Sequence, residues 1–231
     1  MNREVFQYEV PWRSLQLNSE DIYLSMGVGY IPDEEMLKQL DTLKTEIAAL
    51  CRPRCLYVPF EALHTKKNYI KIDEIELHTG AVITPYLLDA NQYILFVATA
   101  GQEFEKFQQE VKISGDIVKE FLLDSIGSAI TEAVVRELCA KVEKHYLPLG
   151  YGVSHPYSPG YCGWPVTQQQ LVFSLLPEHP CGICLNKSSL MSPIKSVSGI
   201  IAVGKKIVKR KYGCEICGKA DCYKNINKHK N

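Results

Sequence analysis

The chain has 231 residues, of which 46% are hydrophobic and 23% charged, so its composition is that of a globular protein and excludes a largely disordered chain. Its formal net charge is zero, although residues 205–231 hold nine Lys/Arg against two acids. Most such basic runs are simply solvated, so we expect no nucleic-acid partner. No apolar run resembles a membrane span or a signal peptide, which predicts a cytoplasmic protein without a membrane partner.

The first part of the chain predicts one helix followed by several strands. Residues 33–50 form an amphipathic pattern behind a proline and an acidic first turn, as expected for a helix. Residues 55–60 predict a short strand, and residues 69–80 predict another with imperfect alternation before a glycine turn. Residues 91–101 form a continuous apolar run that ends in glycine, which predicts a buried strand.

The strongest periodic signal predicts a long helix from about Gly115 to Tyr146. Apolar residues recur there at spacings of three and four for about eight turns, and Pro148 and Gly150 end the pattern. We therefore expect this helix to be the central element of the fold.

One face of that helix combines small side chains with a carboxylate. Glu132 follows three small residues at helical spacing: Ser125, Ser128 and Ala129. Such a face leaves room for a loop or a ligand beside a negative charge. Close packing of a neighbouring element, with Glu132 solvated, explains the same pattern equally simply.

The segment at residues 155–177 is rich in proline, glycine and aromatic side chains. Pro159 fixes its own φ, and Gly160 permits a turn at which a ligand can approach the backbone. A structural corner of the fold would have a similar composition, so both interpretations stay open. Three aromatic rings nearby have flat surfaces that suit a purine or a sulfonium: Tyr157, Tyr161 and Trp164.

The remainder of the chain predicts a short helix with Thr167 as its N-cap, followed by two or three strands within residues 181–204. Breaks are expected at Ser192–Pro193 and at Gly199. The elements do not alternate as βαβ units, which predicts an α+β fold with an antiparallel sheet. We assign residues 1–204 to this single domain.

The last segment, residues 205–231, is expected to be a basic tail that contains three cysteines. Cys214, Cys217 and Cys222 have the spacing C-x2-C-x4-C, which suits Zn²⁺ or an iron–sulfur cluster. Thiols without a metal are the alternative. The odd total of nine cysteines argues against a complete disulfide framework. Cys181 and Cys184 lie three apart on a predicted strand, so joint metal binding is not expected there.

Three motifs in order resemble the activation domain of cobalamin-dependent methionine synthase. They are "LDSIGSAITEAV", "YSPGYCGWPVTQQQLVFSLL" and "LMSPIKSVSGI", and the similarity extends from about Tyr23 to Val203. The resemblance implies a twisted antiparallel sheet with a long central helix and an S-adenosylmethionine site. It also implies cobalamin on a partner, which is a corrinoid-binding protein or a methionine synthase core, and a flavodoxin-like or ferredoxin-like electron donor.

The resemblance also implies roles for individual residues. Glu132 matches the family's acid, which binds the α-ammonium of S-adenosylmethionine. The family's arginine for the ligand carboxylate is replaced by Pro156, and its aromatic residue after the Ser-Val-Ser-Gly turn is replaced by isoleucine. The loop residues that match the ligand-binding positions are Tyr157, Ser158, Gly160 and Tyr161.

These observations leave three hypotheses about function. The first is a reactivation module that binds S-adenosylmethionine and supports reductive methylation of a partner's corrinoid. The second is a non-catalytic module that docks on a corrinoid protein without tight ligand binding. The third is a metal-bearing electron-transfer accessory that uses the cysteines of the tail. The chain has no Asp-x-His-x-x-Gly corrinoid motif, so cobalamin must arrive on the partner.

Overall fold

The computed structural model describes residues 3–210 apart from Val28 and His64, and it combines an antiparallel sheet with helices on both of its faces. The α-helices are α1 (Ser19–Met26), α2 (Glu34–Leu50), α3 (Gly80–Leu87), α4 (Gln102–Ser114), α5 (Ile117–Tyr146) and α6 (Gln169–Ser174). Short 3-10 helices span Trp12–Ser14, Leu147–Leu149, Val166–Gln168 and Pro180–Gly182. The strands are β1 (Phe6–Glu9), β2 (Arg54–Glu61), β3 (Thr65–Lys66), β4 (Tyr69–Ile72), β5 (Ile75–Leu77), β6 (Gln92–Thr99), β7 (Gly152–Val153), β8 (Cys184–Leu185), β9 (Met191–Ser192) and β10 (Ser196–Gly204).

The main sheet has the strand order β1-β2-β6-β10-β7, and all its pairs are antiparallel. β7 pairs with β10 only at Val203 and Gly204, and Tyr157 adds a single bridge to Ile200. Within the described part of the chain, no strand pairs with the first residues of β10 on that outer side. This unpaired start of β10 is the edge beside which the candidate site lies.

The sheet separates two hydrophobic cores because β6 is buried on both faces. Its residues alternate, so that Ile94 and Phe96 join the core against α5 while Tyr93 and Leu95 join the core on the opposite face. A strand buried on both sides is expected to be apolar throughout, which explains the continuous run that the sequence shows. The predicted buried strand is confirmed.

The long central helix is confirmed as α5, with 30 residues and a length of about 45 Å at 1.5 Å per residue. The Asp116 carboxylate caps it by accepting a hydrogen bond of 2.9 Å from the Lys119 amide. Gly127 allows α4 to pack closely, since a Cβ there would lie 2.5 Å from the Phe104 ring. Neither α5 nor any other described helix has the length and apolar character needed to cross a membrane.

Three described helices were not predicted from the sequence. α1 and α3 have only eight residues each, and α3 contains Pro85, so neither presents a long periodic pattern. α4 has a mostly polar surface and buries only Phe104 and Val111. Gly115, with φ +78°, ends α4 in the left-handed region immediately before α5.

Four local predictions were wrong. Thr167 is not an N-cap, because it lies inside a 3-10 helix without a side-chain cap. Gly199 does not break a strand but continues β10, where a Cβ would lie 2.4 Å from the Tyr157 carbonyl oxygen. Cys181 lies in a 3-10 turn with φ +56°, not in a strand. Residues 69–77 form the hairpin β4–β5, not a single strand.

Candidate functional site

A cleft lies where α5, the proline-rich loop and the start of β10 meet. Three adjoining cavities of about 350, 230 and 520 Å³ form it, and Tyr161 and Val197 line all three. Glu132 lines the first two, and Ser158 lines the second and third. We call these cavities the polar lobe, the apolar lobe and the outer lobe in that order.

The polar lobe is lined by charges of both signs. Glu132 lines it together with Asp124 and Lys195. The Lys195 ammonium lies 2.7 Å from the Asp124 carboxylate and donates a hydrogen bond of 3.0 Å to the Ser128 hydroxyl. The Lys195 side chain is only 14% exposed, whereas the Asp124 side chain is 62% exposed.

Backbone contacts fix the position of Lys195. Its carbonyl oxygen accepts hydrogen bonds of 2.9 Å from the Ala100 amide, at the end of β6, and of 3.2 Å from the Thr131 hydroxyl on α5. Its aliphatic stem crosses α5 at Gly127, where a Cβ would lie 2.9 Å from Lys195 Cγ. The glycine therefore permits the stem to lie against the helix and to place the ammonium in the polar lobe.

The apolar lobe lies between α5 and the loop. Its lining includes Phe96 of β6, Val135 of α5 and, from the loop, Pro156 and Tyr157. Tyr157 exchanges backbone hydrogen bonds of 2.9 and 2.8 Å with Ile200, which attaches the start of the loop to β10. Burial raises the pKa of the Tyr157 hydroxyl, so this side chain stays neutral at physiological pH.

The proline-rich loop closes upon itself. The Gly160 amide donates a 2.8 Å hydrogen bond to the Trp164 carbonyl oxygen, and the Trp164 amide donates one of 2.9 Å to the Tyr161 carbonyl oxygen. Gly160 has φ +94°, a conformation that favours glycine. Trp164 is 1% exposed and Tyr161 is 44% exposed, so Tyr161 presents its ring to the cleft while Trp164 belongs to the core.

The outer lobe lies on the far side of the unpaired edge of β10. Ser198 lines it, and the Ser198 hydroxyl is buried without a hydrogen-bond partner. Ser158 and Pro159 of the loop and Met191 of β9 also line it. A buried hydroxyl without a partner costs stability.

The structure brings four of the five predicted ligand-binding residues to one cleft. Glu132, Tyr157 and Tyr161 line the apolar lobe together with Ser158. Gly160 lines none of the three lobes, and its amide is already used within the loop. It shapes the turn that presents Tyr161.

Lys195 and Ser198 were missed in the sequence, although both lie within the third quoted motif. Lys195 is the one cation between Pro193 and the end of the following strand, which is a weak signal. Ser198 looks like an ordinary strand residue, and its unpaired hydroxyl is visible only in three dimensions.

His155 lies beside Pro156, where the sequence resemblance implies an arginine, and it is a poor substitute for such a cation. Burial lowers the pKa of its imidazole, and the positive charge of Lys209 lowers it further. The side chain is therefore largely neutral at pH 7. A neutral imidazole provides no full charge for a carboxylate.

The predicted metal ligands Cys214, Cys217 and Cys222 lie outside the described residues. Within residues 3–210, as far as they are described, no group of three or more His, Cys, Asp or Glu side chains is arranged to hold a metal ion. Cys181 is buried in a 3-10 turn, and Cys184 is exposed at the start of β8.

Comparisons with known proteins agree with this architecture. A family model described as the vitamin B12-dependent methionine synthase activation domain matches residues 65–227. The chain belongs to this family. The crystal structure of the MetH reactivation domain bound to AdoHcy is similar to this activation domain, with a TM-score of 0.70 and 18% sequence identity. The match covers 91% of this chain and 81% of that chain. No curated protein matches the chain.

Family membership confirms the resemblance noted in the sequence. The matched fold also confirms the predicted α+β class, with its twisted antiparallel sheet and long central helix. This activation domain therefore has the architecture that the three ordered motifs imply.

Proposed function

We propose that this activation domain binds S-adenosylmethionine in the cleft and supports reductive methylation of a corrinoid held by a partner protein. One observation carries the proposal: Glu132 of α5 and Tyr161 of the loop line both the polar lobe and the apolar lobe. A carboxylate and an exposed aromatic ring thus face one cavity. A similar solved structure is a MetH reactivation domain bound to AdoHcy, which supports a ligand of this class for this chain.

The groups of the cleft fit the parts of this ligand. Glu132 accepts a charge-assisted hydrogen bond from the α-ammonium. The ring of Tyr161 lies at the junction of the lobes, where its face attracts a sulfonium. The outer lobe, with about 520 Å³ and the unpartnered Ser198 hydroxyl, accommodates the nucleoside.

The bound ligand supplies a methyl group to the partner's cobalt after one electron has reduced that cobalt, and S-adenosylhomocysteine remains. The side chains of this chain bind and orient the ligand, and they exclude water from one side of it. We propose that the corrinoid belongs to a methionine synthase core or a related corrinoid-binding protein. A flavodoxin-like or ferredoxin-like protein would donate the electron.

Calorimetric titration of the full chain with S-adenosylmethionine and with S-adenosylhomocysteine tests the proposal. Glu132→Ala is expected to raise both dissociation constants by about 10- to 100-fold, because it removes a hydrogen bond between charged groups. Glu137→Ala changes the same helix but lines no lobe of the cleft, so it is the matched control and should bind like the parent.

Two results would contradict the proposal. The first is an unaltered chain that binds neither nucleoside, which would favour a module that docks on a corrinoid protein without a ligand. The second is a Glu132→Ala variant with parental affinity, which would show that the ligand binds at a different place.

A further inference from the structure

An α-amino acid carries a carboxylate as well as an ammonium, and the loop of this chain provides no cation for that carboxylate. Pro156 is uncharged, and His155 is largely neutral for the reason given above. We propose that Lys195, at the entrance to β10, binds the ligand's carboxylate. The inference rests on the proposed function, since it assumes that an S-adenosyl amino acid occupies the cleft.

Lys195 has one hydrogen-bond donor left for a ligand. An ammonium carries three N–H groups. Asp124 and Ser128 accept two of them, at 2.7 and 3.0 Å, and no further acceptor contacts the ammonium within the described residues. The third N–H is available within the polar lobe, which Lys195 lines.

The ammonium is also preorganised. The side chain is 14% exposed, its stem crosses Gly127, and two acceptors hold its end. Little side-chain entropy therefore remains to be lost when a ligand binds. An exposed surface lysine would lose more freedom and would contribute less.

Both charges that a zwitterion needs line the polar lobe. Ser128, which holds the Lys195 ammonium, lies four residues before Glu132 on α5. Residues four apart are neighbours on one helix face, about 6 Å apart along the helix axis. The cation held at Ser128 and the Glu132 carboxylate therefore line the same lobe, where one can contact the carboxylate and the other the ammonium of an α-amino acid.

The net charge of the polar lobe favours the sulfonium form of the ligand. The groups that are charged at neutral pH in its lining are Asp124, Glu132 and Lys195, which sum to −1. S-Adenosylmethionine carries a net charge of +1, whereas S-adenosylhomocysteine is neutral overall. Simple carboxylic acids are negative and are therefore disfavoured in this lobe.

Ligands that differ only at the amino-acid end test the role of Lys195. Lys195→Met is expected to raise the dissociation constant for S-adenosylhomocysteine by about 10- to 100-fold, since it removes a charge-assisted hydrogen bond. The same variant should bind 5′-methylthioadenosine, which lacks the amino-acid end, within about twofold of the parent. Lys195→Arg retains the charge and should recover part of the lost affinity.

Lys38→Met is the matched control, because Lys38 is an exposed cation on α2 and lines none of the lobes. It should leave both dissociation constants unchanged. A Lys195→Met variant that weakens both ligands equally would indicate a structural role only, and one that weakens neither would also overturn the inference.

A second measurement uses the unaltered chain, so it does not depend on the folding of any variant. Acetylation of lysines by acetic anhydride, followed by peptide mass spectrometry, should be slowed at Lys195 by S-adenosylhomocysteine and not by 5′-methylthioadenosine. Equal labelling with and without S-adenosylhomocysteine would contradict the proposal. If Glu132→Ala weakens binding while Lys195 shows neither effect, only this inference fails and the proposed function stands.

Discussion

At Ser198 a buried hydroxyl lies beside the cleft without a hydrogen-bond partner. Two residues earlier on the same strand, the Ser196 hydroxyl makes hydrogen bonds of 2.8 Å to Thr99 and 2.7 Å to the Pro193 carbonyl oxygen. An unsatisfied buried group costs stability, whereas a satisfied one contributes about 0.5–1.5 kcal/mol. Removal of the hydroxyl should therefore have different effects on the free energy of unfolding at the two serines.

Ser198→Ala is expected either to have no effect on the free energy of unfolding or to raise it by about 1 kcal/mol. Ser196→Ala is expected to lower it by about 1 kcal/mol. If the Ser198 hydroxyl bonds to the nucleoside, Ser198→Ala should also weaken S-adenosylhomocysteine and 5′-methylthioadenosine alike, by about 3- to 10-fold. Urea denaturation and calorimetry measure the two effects. Loss of affinity for only one of the ligands would argue against a nucleoside in the outer lobe.

At the scale of single residues, the sequence predicted those site residues that belong to distinctive local patterns. Glu132 follows small residues at helical spacing, and Tyr161 follows a Pro-Gly turn, so both could be selected as site candidates. Lys195 could not be selected in this way, because its position depends on contacts with Ala100 and Thr131, which are distant in the sequence. Its function in the cleft is a property of tertiary packing.

At the scale of single elements, α5 determines the geometry of the cleft because it carries both Ser128 and Glu132. Its first turn begins at Asp116, whose carboxylate accepts a hydrogen bond from the Lys119 amide. Such a cap satisfies one of the amides that a helix leaves unpaired at its start. The cap fixes where α5 begins after α4.

Asp116→Ala is expected to lower the free energy of unfolding by about 1 kcal/mol, through loss of the cap. Glu120→Ala removes a charge from the same first turn without removing the cap, and it should cost less than about 0.5 kcal/mol. Urea denaturation of both variants checks the difference. Equal losses would show that charge, and not the capping hydrogen bond, stabilises this end of the helix.

Element prediction succeeded where periodicity was long and failed where it was short. The pattern of α5 extends over its full length, and the predicted start differs by two residues from the observed one. The eight-residue helices α1 and α3 provide too few turns for a pattern, and tertiary contacts stabilise them instead. Gly199 looked like a break because glycine weakens strands, but close approach of the Tyr157 carbonyl requires it there.

At the scale of the whole molecule, the two cores share the strands β2, β6 and β10, and β6 lies between the other two. β6 contributes Ile94 to the core against α5 and Leu95 to the opposite core, and both side chains are 0% exposed. Neither core can lose β6 and remain packed. The cleft lies at the edge of β10, which pairs with β6 along its length, so site geometry and global stability are coupled through this pair.

The two tryptophans of the chain allow this coupling to be measured, since Trp12 packs against the first core and Trp164 lies in the second. We expect urea denaturation followed through Trp12 in a Trp164→Phe variant, and through Trp164 in a Trp12→Phe variant, to give single transitions with similar slopes.

Leu95→Ala, introduced into each of these two backgrounds, is expected to lower the free energy of unfolding by about 2–5 kcal/mol, because it leaves a cavity beside β6. For each single-tryptophan protein, the change in free energy of unfolding is measured relative to the same protein without Leu95→Ala. If the cores unfold together, the variant shifts the Trp12 signal as much as the Trp164 signal, although Leu95 faces only the second core. A shift confined to the Trp164 signal would show that the faces unfold independently and that β6 does not join them into one cooperative unit.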